Sequence, residues 1–182
     1  IKEHLLQQIQ NGELQEGKTI NLAALSRATG ISVTPIREAL TQLEQAQVIQ
    51  AVPNRGFVIA KLSKQEVKNL IEIVAQLEVM ALENSKFEPD EMDALARMQS
   101  ELEATTTIPE GLRARFNFHN HLVQHCPNKV LLQILKDLKV RLHFYEHDFI
   151  KDHGFFKKLS TQTRSVVDAI QEDNVPTAAL IL

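Results

Sequence analysis

Residues 30–63 read GISVTPIREALTQLEQAQVIQAVPNRGFVIAKLS. Within this stretch Pro35 is well placed in the first turn of a helix, because the backbone N–H groups of that turn have no partner inside the helix. The apolar residues that follow recur at i, i+4 and i+7, namely Ile36, Leu40 and Leu43. The stretch therefore predicts a helix that begins near Thr34 and buries one face.

Short elements are predicted on both sides of this helix. An apolar stripe around Leu5 indicates a first helix, and residues 21–28 indicate a second, which ends at Gly30. After the quoted helix, two β-rich runs flank Pro-Asn-Arg-Gly at 53–56, which predicts a hairpin of strands 48–52 and 57–60. A helix pair followed by a hairpin is the layout of a winged helix-turn-helix, whose second helix fits the major groove of double-stranded DNA.

Polar side chains on this second helix and on the hairpin tip are candidates for DNA binding. Arg37 can donate two hydrogen bonds to guanine or bind a phosphate, and a glycine at the tip lets the backbone approach DNA closely. The full candidate set is Ser32, Thr34, Pro35, Arg37, Asn54, Arg55 and Gly56. The alternatives are a generic helix pair, a solvated Arg37 beside Glu38, and a hairpin that only covers the core.

The remainder of the chain has helical periodicity throughout. Ser63 and Glu66 form a capping-box pattern that opens a helix to about Asn84. Its predicted inner face comprises Val67, Leu70, Ile71, Val74, Leu77 and Met80. Further helices are predicted at about 89–104, 109–126, 128–151 and 160–172, with a last one from Val175. The predicted fold is mostly α, a winged helix-turn-helix domain over 1–62 and a helical bundle over 63–182.

Composition and charge limit the classes of function. The 182 residues are 43% apolar and 24% charged, which argues against a disordered chain. No apolar run reaches the roughly 18 residues of a membrane span, and no secretory leader is visible, so a cytoplasmic protein is expected. The one cysteine fits a reducing compartment. Residues 1–62 carry a net charge of +1 and the rest −4, a sign that suits a DNA-binding domain joined to an acidic domain.

The quoted stretch closely resembles the DNA-binding domain of the GntR family of bacterial transcription regulators. The family pattern of Ser, Thr-Pro, an aliphatic residue and Arg-Glu-Ala-Leu is met by residues 32–40, and its wing pattern Pro-Asn-Arg-Gly by 53–56. The helical second part resembles the effector-sensing FCD domain of the FadR-like branch. Val33 stands where many members have an arginine. Ala23 lies near the place where some members have a further cationic residue on the preceding helix. We therefore expect Arg37 and Arg55 to contribute more of the binding.

This resemblance implies a function as well as a fold. It implies a bacterial transcription regulator, most often a repressor, that binds a near-palindromic operator as a homodimer. A small organic effector in the helical domain would control it, and no membrane, cofactor or enzymatic activity is implied.

Six histidines lie within residues 119–153 and raise an alternative. His121 and His125, like His143 and His147, are spaced i, i+4, so each pair is half of a possible Zn²⁺ or Ni²⁺ site. The corresponding alternative function is a metal-dependent helical-bundle enzyme. Exposed polar histidines on amphipathic helices are the simpler explanation. A winged fold that binds protein partners is a further alternative.

The resemblance argues against the usual metal site. Many FCD domains bind a divalent metal through an Asp, a His four residues later and two further His. His119 matches the first histidine, but Arg115 replaces the Asp and Thr163 replaces the next His, while the fourth position falls after Leu182. With two of these positions replaced, we expect no metal site of this kind.

Arg115 and His119 lie one turn apart, on the same face of their helix. If that face points into the bundle, a guanidinium and an imidazole meet in a cavity walled by Phe and Leu. Arginine binds carboxylates without metal, so these two residues are the predicted ligand-binding pair, with a carboxylate as the effector. The alternative is an arginine paired with an acidic side chain of the protein.

Overall fold

The computed structural model describes residues 5, 17–45, 47–60, 62–150 and 153–182. The chain forms two compact units, Ile1–Val67 and Lys68–Leu182. The predicted first helix lies outside the described residues except for Leu5, which is buried.

The first unit has two short helices and a small antiparallel sheet. Its elements are β1 (Thr19–Ile20), α1 (Leu22–Thr29), α2 (Val33–Gln45), β2 (Ile49–Val52) and β3 (Gly56–Ile59). The strand order is β1-β3-β2, so the hairpin is extended by a third strand. The sequence did not predict β1, because a strand of two residues is too short to show an alternating pattern. The predicted winged helix-turn-helix is confirmed.

Local signals explain where the helices of this unit begin and end. The Asn21 side chain accepts a hydrogen bond from the Ala24 N–H at 3.0 Å and caps α1. Gly30 ends the helix with φ of 69°, a left-handed conformation that glycine adopts without strain. In α2 the predicted apolar face is buried, since Ile36, Leu40 and Leu43 are at most 1% exposed.

Helices make up the rest of the described chain. They are α3 (Lys64–Glu83), α4 (Pro89–Ala104), α5 (Ile108–Val123), α6 (Lys129–Phe149), α7 (His153–Gln171) and α8 (Val175–Ile181). The predicted capping box is present, since the Ser63 N–H donates to Glu66 Oε2 at 2.7 Å and the Glu66 N–H donates to Ser63 Oγ at 3.2 Å. The prediction for α7 was wrong at its start, because the helix begins at His153 and takes in Gly154.

The predicted inner face of α3 was partly wrong. Ile71 and Met80 are 47% and 49% exposed, whereas Glu78 is only 4% exposed. Apolar residues occur on both sides of this helix, so periodicity alone cannot select the face. The buried carboxylate is explained by its partners, described below.

The second unit is closely packed where α5 meets α7. Any side chain at Gly111 would overlap the buried ring of Phe156, so only glycine permits this approach. The single tyrosine, Tyr145, and the single cysteine, Cys126, are both buried in this unit. Among the described residues, no helix combines the length and the apolar character that a membrane crossing requires.

Candidate functional site

The first candidate surface is the N-terminal part of α2. Ser32, Thr34 and Arg37 are all exposed there, and Pro35 is half-buried. Ile36 is 1% exposed and Leu40 is fully buried, so the opposite face of the helix is fixed in the core. The helix therefore presents its polar side chains outward on a rigid support.

The hairpin tip presents the other predicted residues. Asn54 and Gly56 have φ of 62° and 82°, and both are exposed, as is Arg55 between them. Asparagine and glycine tolerate this left-handed backbone well. The Arg55 N–H donates to the Val52 carbonyl at 3.0 Å, which closes the turn. The turn therefore places Arg55 at the exposed tip of the hairpin.

A hydrogen bond ties this hairpin to α2. The Glu44 carboxylate accepts from the Ala51 N–H on the edge strand β2 at 2.9 Å. The helix and the hairpin are thus joined within one small unit. The structure places six of the seven predicted DNA-binding residues on these two elements and Ser32 directly before α2, and their role stays a prediction.

The second candidate site is a pocket in the helical unit. About 280 Å³ of space lies between its lining residues, a figure that includes open solvent, and the enclosed part has room for about one water molecule. Arg115 and His119 both line it, and so does Thr163, the residue at the replaced metal position. The described residues that line it are Arg115, Phe118, His119, Leu159, Gln162, Thr163, Val166 and Leu182. Half of these residues are apolar and half are polar, the polar ones including one cation and one imidazole, and their binding role stays a prediction.

His119 also belongs to a buried charge cluster, whose other members are not among the described lining residues. Its Nδ1 lies 3.0 Å and 3.2 Å from the two carboxylate oxygens of Glu78. The Lys139 Nζ lies 2.6 Å from Glu78 Oε1 and donates to the His119 carbonyl at 2.7 Å. Helices α3, α5 and α6 each supply one member of this cluster.

Arg115 has an acidic partner, as the alternative interpretation of its role required. Its Nη1 donates to Glu146 Oε1 at 2.8 Å. The other carboxylate oxygen of Glu146 lies 3.7 Å from Nδ1 of the buried His143. Two polar atoms of the lining have no hydrogen-bond partner among the described residues, Arg115 Nε and His119 Nε2. Arg115 is thus held by Glu146, and its unpaired Nε–H is buried.

The charges of the cluster are set by burial and by mutual contact. Burial alone would raise the pKa of Glu78, but the charges and hydrogen bonds of His119 and Lys139 outweigh it and lower that pKa to about 2. The pKa of Glu146 is also lowered, against its burial, by the Arg115 charge and by His143. Burial lowers the pKa of both His119 and Lys139. Both carboxylates are therefore ionised at neutral pH.

The remaining histidines do not form a metal cluster in the described part of the chain. His121 and His125 are neighbours on α5, with ring centroids 6.3 Å apart, and His125 pairs with Glu91 at 2.8 Å. No group of three or more His, Cys, Asp or Glu there could hold a metal ion. The side chains of His147 and His153 lie outside the described set.

Sequence analysis missed the partners that surround the pocket pair. Glu78 lies four residues after the buried Val74, and Lys139 lies four residues after the buried Leu135. A charged residue inside an apolar helical stripe was thus the available signal. Such a position predicts that the charged side chain is buried. It does not predict which residue pairs with it, because the paired residues are on different helices.

The sequence matches two described families. Residues 1–59 match "Bacterial regulatory proteins, gntR family", and residues 66–182 match the "FCD domain". The chain is 32% identical over 147 residues to the uncharacterized HTH-type transcriptional regulator YdhC of Bacillus subtilis, covering 77% of this chain and 65% of the relative. It is 28% identical to the HTH-type transcriptional repressor GlaR of Escherichia coli, covering 73% and 66%. The chain thus spans just under two thirds of the length of these relatives.

Solved structures share the fold. The structure of E. coli McbR/YncC has a TM-score of 0.83 at 19% identity, covering 99% of this chain and 88% of that one. A GntR regulator from Rhodococcus sp. RHA1 has a TM-score of 0.85 at 16% identity, with the same coverage. Both family matches agree with the winged unit and the helical unit described above. The chain belongs to the GntR family of bacterial regulatory proteins, with a gntR-type winged helix-turn-helix followed by an FCD domain.

Proposed function

We propose that this protein is a DNA-binding transcription regulator that acts in the bacterial cytoplasm. The observation that carries the proposal is the pairing of an exposed polar face on α2 with a cationic hairpin tip in one gntR-type unit. Arg37 would bind guanine or a phosphate in the major groove, and Ser32 and Thr34 would bind phosphates or base edges. Asn54, Arg55 and Gly56 would form the contact made by the wing.

The proposed active form is a homodimer on a near-palindromic operator. Two-fold symmetry in the protein is then mirrored in the two half-sites. Apolar side chains that are half or more exposed in the second unit fit a surface that a second copy would cover. They include Ile73 and Val130, at 50% and 71% exposure. Their exposure supports the dimer because large apolar side chains on a free surface raise the tendency to associate.

The proposed effector is a small carboxylate bound by Arg115 and His119. The Arg115 guanidinium, on a side chain that is 23% exposed, would donate to it. None of the described lining residues is acidic, although Glu146 pairs with Arg115 at 2.8 Å. Binding changes the affinity for DNA only if the ligand prefers one arrangement of the dimer. We propose that the regulator represses its target and that the effector alters operator binding.

Operator binding by the full chain is the test. Fragments of the DNA upstream of its own gene are titrated across a salt series, with Arg37→Ala and the control Arg97→Ala side by side. Arg97 is exposed on α4, so its variant makes the same change of charge in the other unit. We expect tight, salt-sensitive binding that Arg37→Ala weakens about tenfold to a hundredfold and Arg97→Ala leaves unchanged. Absence of binding at low salt, or equal losses in both variants, contradicts the proposal.

The effector half of the proposal has its own variants. Arg115→Gln should abolish the binding of small carboxylates, because it removes the cation of the lining. Arg113 lies two residues earlier on α5, is exposed and lines a separate surface groove. Arg113→Gln is therefore the matched control. Equal carboxylate binding by both variants would contradict the Arg115 assignment.

A further inference from the structure

We infer that Val33 is a specificity-determining residue, which packs its methyl groups against the C5-methyl group of one thymine in each operator half-site. The inference deepens the proposed function and rests on it, since it takes α2 as the helix that enters the major groove. It adds an apolar base contact to the polar contacts proposed for Ser32, Thr34 and Arg37.

Val33 is an apolar side chain that the core leaves partly uncovered. It is 38% exposed, whereas the apolar residues that follow it on the same stripe of α2, Ile36, Leu40 and Leu43, are at most 1% exposed. Among the described residues of the first unit, it is the one large apolar side chain with more than a third of its surface exposed. Packing in the core therefore accounts for only part of this side chain.

The position of Val33 puts its exposed part beside the polar candidates. Val33 is the first residue of α2 and directly follows Ser32. Arg37 lies about one turn later, roughly 6 Å further along the axis and turned by about 40°, so the two side chains are neighbours on the helix surface. In a helix-turn-helix, the N-terminal residues of the second helix contact the base edges. An α2 bound in the groove therefore brings Val33 to the edge of a base pair.

One group on the major-groove edges suits an apolar side chain. Guanine, cytosine and adenine present hydrogen-bond donors and acceptors there, whereas thymine adds its C5-methyl group. Valine has no donor or acceptor in its side chain, so against a polar edge it would displace water without replacing the hydrogen bonds, which is costly. Against the thymine methyl it buries apolar surface on both molecules. The contact therefore favours thymine over the other three bases.

The side chain loses little freedom when it makes this contact. Valine is branched at Cβ and has one strongly preferred χ1 rotamer in a helix, so binding to DNA orders it at a small cost in entropy. Neighbouring bases are about 3.4 Å apart along the DNA axis, and Arg37 lies roughly 6 Å beyond Val33. We therefore expect the thymine one or two base pairs from the group that Arg37 contacts.

The test removes the methyl group and nothing else. The operator is the footprinted upstream DNA or, where the full-length protein does not bind that DNA, a sequence that it selects from random duplexes. Each thymine is replaced by deoxyuridine at symmetric positions of both half-sites, and binding is measured by fluorescence anisotropy. We expect one symmetric pair of replacements to weaken binding about fifteenfold, or about fourfold per half-site, from the transfer free energy of one methyl group. If no replacement lowers the affinity, the inference is overturned.

Val33→Ala assigns the effect to this residue. The variant lacks the two γ-methyl groups, so it should bind the thymine and deoxyuridine operators equally and should match the parent on the deoxyuridine operator. That match also shows that the variant is folded. Gln45→Ala, at an exposed position in the last turn of α2, is the control and should keep the full sensitivity to deoxyuridine. A sensitivity that is unchanged in Val33→Ala overturns the inference.

Exchange of the residue should exchange the base. Val33→Arg introduces the side chain that many members of the family have, and arginine donates two hydrogen bonds to guanine. With that one base pair randomised, we expect the parent to select thymine and Val33→Arg to select guanine. A thymine preference that Val33→Arg retains overturns the inference.

Failure of this inference can be distinguished from failure of the proposed function. If the full chain binds no duplex at low salt, the proposed function fails and the inference fails with it. If the chain binds its operator and Arg37→Ala weakens the binding, but deoxyuridine has no effect, DNA binding by α2 stands and only the role of Val33 is wrong.

Discussion

The two units place their functional candidates in opposite environments. In the winged unit Ser32, Thr34, Arg37 and Arg55 are exposed, and each projects from a backbone that is fixed by its own short element. In the helical unit Glu78 and Lys139 are each 4% exposed and depend on one another. The difference shows that the proposed DNA-binding surface is built from separate exposed side chains, whereas the buried polar cluster needs a mutually compensated set.

Removal of one buried charge should give the largest effect. Glu78→Ala leaves Lys139 without its carboxylate, and loss of one partner of a buried pair costs about 3–5 kcal/mol of unfolding free energy. Urea unfolding followed by circular dichroism measures the loss. Glu103→Ala, at the exposed pair with Arg164, should stay within experimental error of the parent. An equal loss of unfolding free energy in both variants would contradict the expected difference between the buried and the exposed pair.

Acid should destabilise the helical unit through the same carboxylate. The pKa of Glu78 is about 2 in the folded protein against an ordinary value of 4.5. Its contribution is therefore complete above pH 4.5 and is lost as the pH falls toward 2. The full contribution is about 3 kcal/mol, from roughly 1.4 kcal/mol per pKa unit.

The single, buried tyrosine, Tyr145, can report this transition without labelling. Unfolding free energies measured by its fluorescence should fall between pH 5 and pH 2.5. They should fall less in Glu78→Gln, which has no carboxylate to protonate at that position. Equal slopes in the two proteins would show that other groups control the acid response.

The two units were predictable from sequence to different degrees. The face of α2 and the hairpin tip are local patterns, in which Pro35, Gly30 and Gly56 each mark a backbone requirement within a few residues. The Glu78–His119–Lys139 cluster joins positions 20 to 61 residues apart, and no local pattern encodes such a contact. The prediction for α3 was wrong at Ile71 and Met80 for a related reason, because the helix has apolar residues on two faces.

Double-mutant cycles should separate independent from coupled residues. For unfolding free energy, Glu78→Gln combined with Lys139→Met should show a coupling of about 0.5–3 kcal/mol, because the two side chains share one contact. For operator binding, Arg37→Ala combined with Arg55→Ala should be additive within about 0.5 kcal/mol, because the residues lie on separate elements. Strong coupling between the two arginines would contradict the expected independence of the proposed DNA-binding side chains.

The smallest expected change concerns the wing alone. Arg55→Ala should lower the salt slope of operator binding by about one unit, because one phosphate contact is lost. Filter binding or fluorescence anisotropy at several salt concentrations measures the slope. Arg113→Ala, an exposed arginine of the helical unit, should leave the slope unchanged. An unchanged slope in Arg55→Ala would indicate that the hairpin tip does not reach the phosphates.

Modification of Cys126 by a thiol reagent can measure how fast the helical unit opens. The thiol is buried and is the only one in the chain, so a thiol reagent can modify the native protein only when that region opens. The mass gained over time then measures the opening rate of the helical unit alone. Such traces can be recorded with the operator bound or free, and in the presence of each candidate acid.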